Sequence, residues 1–342
     1  MLASIDRSLP TRAHRGASRP CRPGVASRRP PVALATALAL AGPAAALGAD
    51  RPVEIRFAGE FAGASFDCAA VHEGVGSTGA SVRVTDYRLF VSNLALLDAD
   101  GEEVPVALEQ DDVWQSGDVA LLDFENGAGP CDNGTPETRA VVRGSVPEGE
   151  YAGVAFDLGV PFEPNHGDPT LAGSPLNLTA MFWNWQGGYR FLKLDTLPAT
   201  DGAAAMHGAA MDAAEGGASH AGASHGGGHA AAPIGAWMLH VGSSGCASAS
   251  RTSAPASPED CARPNRPRVV LDGFDPAADR IAIDPAAALA ESDLTANADG
   301  TAPGCMSGPE DPDCTGVMPL LGIEWEGETA GQRLFDVRRD AP

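Results

Sequence analysis

Glycine and proline interrupt this chain so often that long helices are excluded over most of its length: 41 glycines and 28 prolines are spread through 342 residues. Proline lacks a backbone donor and clashes with the preceding helical turn, and glycine loses more backbone entropy on folding than any other residue. Between the breaks lie short runs that alternate apolar and polar residues, the period of a half-buried strand. "VEIRFAGEF" (53–61) is one, and "SVRVTDYRLFVSNLALLDADGEEVPVAL" (81–108) reads as strands broken at Asp98-Ala99-Asp100-Gly101. The pattern continues in "VALLDFE" (119–125), "AVVRGSVPEGEYAGVAFDLGVP" (140–161), "YRFLKLD" (189–195), "WMLHVGSS" (237–244), "RVVLDGF" (268–274) and "RIAID" (280–284). The helix candidates are "DPAAALAES" (284–292) and a turn near Pro175. This predicts an all-β chain, an antiparallel β-sandwich or barrel-like single domain with long disulfide-closed loops.

Two segments stand outside that pattern. Residues 1–49 hold seven arginines and one acid, Asp6, and end in an apolar run, "VALATALALAGPAAALGA" (32–49), after Arg28-Arg29. A basic start, an apolar stretch and small residues before Asp50 read as a secretory signal of the Sec or twin-arginine type. The predicted domain is then 50–342. The whole chain carries 23 basic and 45 acidic residues, a net charge of −22. Losing the leader makes the remainder more acidic still, which repels nucleic acid and anionic lipid. The second segment, 200–233, is a low-complexity insertion holding His207, His220, His225 and His229 with Met206 and Met211. No packed core can form from it, so it is either a linker or a metal-gathering tether.

Cys21 lies in the leader, leaving Cys68, Cys131, Cys246, Cys261, Cys305 and Cys314. An even set in an exported chain implies disulfides, with 15 pairings open. Local closure favours Cys246–Cys261 and Cys305–Cys314, leaving Cys68 with Cys131. Bridges closing such short loops stabilise by about 3 kcal/mol each in the loop-entropy picture. A zinc site is disfavoured because no C-x2-C pair is present.

Neither an H-E-x-x-H pair nor a P-loop occurs, and no C-x-x-C-H haem attachment is present. Three histidines remain in the body of the chain: His72, His166 and His240. His166 follows a strand end in "GVPFEPNHGDP" (159–169). His240 lies within a strand, with Met238 on the same face and Trp237 and Leu239 on the other. Thioether beside imidazole suits Cu(I). The stretch "MFWNWQGGYRF" (181–191) places two of the five tryptophans two residues apart. As a continuous strand it puts Met181, Trp183 and Trp185 on one face, with the indoles within stacking distance. Core packing, a sugar platform and redox chemistry are the three readings of that pair.

Several phrases taken together resemble one family: "TDYRLFVSNLALLDADG", "VALLDFENGAGPCDNGT", "VPEGEYAGVAFDLGVPFEPNH", "SPLNLTAMFWNWQGGYRFLKLD", "WMLHVGSSGC", "CARPNR" and "GCMSGPEDPDC". This is the MbnP-like, four-Cys "metallo-mystery pair" family, and the likeness spans most of 53–335. The 200–233 insertion is longer and more biased than that family leads one to expect. The resemblance implies a periplasmic or secreted copper-binding protein of copper homeostasis, not an enzyme. It implies a MauG-like diheme cytochrome c peroxidase as partner, oxidising one tryptophan to kynurenine. Carried onto this chain, the modified residue is Trp183 or Trp185, and not Trp114, Trp237 or Trp325. The copper ligands are His166 and His240, which should then approach each other, with His72 a further candidate. Met238, His207, His220, His225 and His229 are accessory candidates. The competing reading is an exported carbohydrate- or protein-binding module that uses Trp183 and Trp185 as a platform.

Overall fold

A computed structural model describes residues 50–199 and 235–339. The leader and the insertion with His207, His220, His225 and His229 lie outside the described residues. The described chain is almost wholly strand and turn, in two large sheets. One runs in the order Phe335–Arg339, Asp279–Ile283, Asp50–Phe61, Val141–Pro147, Ala107–Leu108. The other runs Arg268–Asp272, Gly153–Leu158, Ala80–Leu97, Leu192–Pro198, Trp237–Val241, Gly304–Cys305, with four shorter strands off that path. Most pairs are antiparallel, as expected. Two are parallel: Asp50–Phe61 with Asp279–Ile283, and Trp237–Val241 with Gly304–Cys305. The sheets form a sandwich-like single domain, with no closed barrel among the described residues. The 284–292 helix shrinks to Pro285–Ala288, started by the Asp284 carboxylate accepting from the Ala286 backbone.

Phe57 of the first sheet meets Phe156 of the second edge-on, with ring centroids 5.8 Å apart. The Tyr87 hydroxyl crosses between them to donate to the Ile283 carbonyl at 2.6 Å. The long strand Ala80–Leu97 organises the second sheet. In its register with Leu192–Pro198 and Trp237–Val241, Leu89, Leu192 and Val241 form one row, and Tyr87, Leu194 and Leu239 another. These rows face the core, because Tyr87 does.

The alternate residues therefore share the opposite face. There Arg88, Lys193 and His240 line up in one row, and Asp86, Asp195 and Met238 in the next. All six are buried, so this face is covered as well. Arg88 pairs with Asp86, Lys193 Nζ lies 2.5 Å from Asp86 and 3.3 Å from Asp195, and the chain of contacts ends at His240. Burial alone would raise the Asp195 pKa, but contacts with His240 and Lys193 hold it well below the usual carboxylate range. Asp123 sits opposite Arg88 on the neighbouring strand. Desolvation, reinforced by the negative charge of Glu125, pushes its pKa up to about 8.

The three disulfides are Cys68–Cys131, Cys246–Cys261 and Cys305–Cys314, the pairing that local closure favours. Cys246 and Cys261 face each other across the small sheet Ser244–Cys246 and Cys261–Arg263. Removing the Cys305–Cys314 bridge is expected to lower stability by about 2–4 kcal/mol, read by denaturant unfolding of Cys305→Ser/Cys314→Ser.

Asp123 gives a pH signature. An unfolded aspartate titrates near about 3.9. The folded protein keeps a proton that the unfolded chain has released, so stability falls as pH rises from about 4 to 8 and levels off above. In Asp123→Asn this fall should be shallower by up to about 1.4 kcal/mol per pH unit in mid-window. Urea unfolding at a series of pH values checks it: parallel profiles for the two proteins would mean that Asp123 is ionised in the fold.

Candidate metal centre at the tryptophan hairpin

The stretch 181–191 does not run as one strand. Phe182–Asn184 pairs with Gly188–Tyr189 as a tight hairpin. The Asn184 side chain stops the strand by accepting from the Gln186 and Gly187 backbones at 2.9 and 2.7 Å, an Asx-type turn. Gly188 follows at φ +77°, and a Cβ there would lie 2.3 Å from the Asn165 side-chain oxygen, so only glycine fits.

This turn corrects the expectation that both indoles share one face. Trp183 is on the strand, but Trp185 is in the turn, and the alternation ends before it. Trp183 lies edge-on to His240, with centroids 6.2 Å apart, and the Arg190 guanidinium stands 5.5 Å from its ring. Trp185 packs instead against Phe182 at 5.8 Å. Both indoles are half-buried. Trp183 also lines an open cavity of about 250 Å³ with Asn184, Ser243, Cys246 and Met306. Trp237 and Trp325 are fully buried, and Trp114 is partly buried against the core.

His240 is heavily engaged. Arg190 Nε donates to its Nδ1 at 3.2 Å, and its Nε2 lies 2.6 Å from Asp195 Oδ1. Because a guanidinium only donates, Nδ1 accepts and Nε2 holds the hydrogen that Asp195 receives. His166 differs. It ends the short helix Phe162–Asn165, is 9 % exposed, and its Nδ1 is buried with no hydrogen-bond partner. Its Nε2 lies 3.1 Å from Asn165 Nδ2 and 3.7 Å from Cys261 Sγ. Burial lowers its pKa, more than the Trp185 backbone raises it, so the ring is neutral at pH 7; because the Asn165 amide nitrogen only donates, Nε2 holds the lone pair and Nδ1 the hydrogen.

Among the described residues no hydrogen bond or ring contact joins His166 to His240; each reaches the hairpin by its own route. His72 sits in a separate cluster, 4.5 Å from the Phe61 ring and 6.2 Å from Phe66, and burial lowers its pKa. Met238 shares the His240 face, as its spacing requires, beside Asp195.

Three residues that organise the site escape a reading of the sequence for ligands: Asn165, Arg190 and Asp195. A usable signal for one of them is Lys193-x-Asp195, an opposite-charge pair at strand period inside an apolar run, repeated in Asp86-x-Arg88. Asn165 is buried and holds the hairpin to the His166 helix: its Oδ1 accepts from Tyr189 N at 2.8 Å, and its Nδ2 reaches Gly187 O at 3.2 Å and Ser243 Oγ at 3.4 Å. Asn165→Ala leaves these partners buried and unsatisfied. It should cost about 2–3 kcal/mol in denaturant unfolding and change the fluorescence of the hairpin tryptophans, where a mere surface amide would change neither.

The sequence model of the MbnP family matches residues 50–307. The solved structure of MbnP from Methylosinus trichosporium superposes with a TM-score of 0.66 at 30% sequence identity, covering 86% of this chain and 100% of that one. No curated protein matches the chain. The match therefore takes in the His166 helix, the tryptophan hairpin, His240 and all but one of the bridging cysteines, and the chain belongs to the MbnP family.

Proposed function

We propose that this is an exported, non-catalytic copper-binding protein whose site is completed when a hairpin tryptophan is oxidised to kynurenine by a MauG-like diheme peroxidase partner. The carrying observation is that one short hairpin bears both indoles and touches both candidate imidazoles, with His166 neutral. A neutral imidazole is a normal ligand for a soft cation, and the Nε2 lone pair becomes available when the Asn165 amide nitrogen turns to its other acceptors, Gly187 O and Ser243 Oγ. The His240 lone pair is held by the charged Arg190 guanidinium and that of His166 only by a neutral amide, so His166 is the first ligand and His240 the second. Bound copper would serve as cargo. The residues around it hold the imidazoles in place, through Asn165 on one side and Asp195 on the other.

The electrostatics distinguish the two indoles. A cation over an aromatic face is attracted to its electrons, so the Arg190 charge makes removal of an electron from Trp183 harder. Trp185 packs edge-on against the uncharged Phe182 ring instead. Trp183 opens onto the cavity and is the entry point; Trp185, beside the His166 helix, is where the positive hole settles and the ring opens. Ring opening exposes an aryl amine and a ketone near His166. Two equivalents of peroxide, used through the partner's haems, supply the four-electron oxidation and the oxygen, and the indole C2 leaves as formate with one water. The acidic surface favours a partner with a basic docking face.

Tandem mass spectrometry of the 181–191 peptide tests this after treatment with the partner and peroxide. Trp185 should carry the kynurenine mass change, Trp185→Phe should abolish it, and Trp183→Phe should slow it. Modification at Trp237 or Trp325, or none, sinks the proposal. Cu(I) titration should find one tight site in the modified protein that survives deletion of 200–233. Binding that vanishes with the insertion would leave only a His-rich tether. Retention on immobilised oligosaccharide with no copper binding would favour the platform reading.

A further inference from the structure

We infer that the Cys246–Cys261 disulfide masks a second metal site, a cluster of two cysteines and one histidine that a dithiol reductant opens to a thiophilic ion. The Sγ atoms of Cys246 and Cys261 and a ring nitrogen of His166 all lie within 4.8 Å of one another. Metal bonds of about 2.3 Å to thiolate and about 2.0 Å to imidazole set ligand atoms roughly 3.5–4 Å apart. Cys261 Sγ and His166 Nε2 already stand at 3.7 Å. A side-chain adjustment is enough to close the triad around an ion. The oxidised bridge prevents this, because each sulfur is bonded to the other.

A second observation points the same way. His166, a residue only 9 % exposed, is held with Nε2, the nitrogen that carries the lone pair, toward Cys261 by the Asn165 amide 3.1 Å away. The cysteines are held independently of their covalent bond: they are directly opposed in a strand pair, and Ala247 N donates to Asp260 O at 2.8 Å across the same hairpin. Reduction therefore leaves them adjacent. Access is uneven among the three bridges. Cys246 is half-buried and opens onto the cavity shared with Trp183 and Met306, whereas Cys68, Cys131, Cys305 and Cys314 are all at most 2 % exposed. A reductant in solution meets the Cys246–Cys261 bridge first.

The step balances. The disulfide takes two electrons and two protons from the dithiol, which becomes a disulfide itself. The two thiols then release their protons to solvent as the ion binds through thiolate. Tetrahedral Zn2+, Cd2+ or Cu(I) suits such a set, with solvent or a further soft donor completing it. This site needs no kynurenine, and the test uses protein made without the peroxidase partner, so its failure says nothing about the copper reading above.

The full mature protein is reduced anaerobically with a low concentration of dithiothreitol, which is then removed by gel filtration. Alkylation and peptide mapping show which cysteines are open, and Co2+ alone is titrated as the probe. Cys246 and Cys261 should open first, and one equivalent of Co2+ should bind with tetrahedral d–d bands and thiolate-to-cobalt charge transfer. The untreated protein should show neither band. Cys246→Ala/Cys261→Ala should lose both while retaining the native circular dichroism. His166→Gln should keep the charge-transfer band but weaken binding by about tenfold or more. Opened cysteines without cobalt bands overturn the proposal. So does unaltered affinity in His166→Gln, or a bridge that opens only after the buried pairs and with loss of the fold.

Discussion

The row of buried charges on the outer face of the second sheet is the constraint around which the rest is arranged. Arg88, Asp86, Lys193, Asp195 and His240 are contributed by three adjacent strands and are all removed from water. Desolvating so many ions is expensive, and their mutual attraction offsets the cost only when each has a partner in good geometry. The arrangement therefore does little for net stability but strongly penalises any slip of register. A one-residue shift would turn every charge into the apolar core. This fixes where His240 points, and thereby where the tryptophan hairpin can lie.

The hairpin is tied down from the other side by Asn165. One amide side chain satisfies backbone groups at Gly187 and Tyr189 while its neighbour His166 faces the Cys246–Cys261 bridge. The two histidines thus play unlike parts. His240 closes a charge network, its lone pair held by a guanidinium; His166 is neutral and buried, its lone pair held only by an amide. Alike by residue type, the two imidazoles differ in what holds them.

Much of the fold was legible because it rests on local chemistry. Alternating runs became strands at nearly every expected place, and the Asp98–Gly101 turn signal became the turn that ends the long strand. Short sequence separations correctly favoured two of the three disulfides, leaving one pairing for the remainder. The two parallel strand pairs were not legible, because strand direction depends on how distant segments return to a sheet. The site was legible as a set of residues and less so as an arrangement. Period-two alternation placed Met238 beside His240 correctly, since that strand runs unbroken. It failed at Trp185, where the Asn184 side chain captures the backbone and ends the strand one residue too soon.

The sequence by itself determined the all-β class, the bridging cysteines, the family and the short roll of aromatic and imidazole candidates. Each follows from composition, period or spacing within a few residues, or from phrases long enough to mark a family. Only the tertiary structure decided which indole lies under a guanidinium, which imidazole is held by an amide and which by a guanidinium, and which disulfide abuts a histidine. Arg190 reaches His240 across 50 residues of chain, and Cys261 reaches His166 across 95. Availability of a lone pair or an electron is set by such neighbours, and folding alone assigns them.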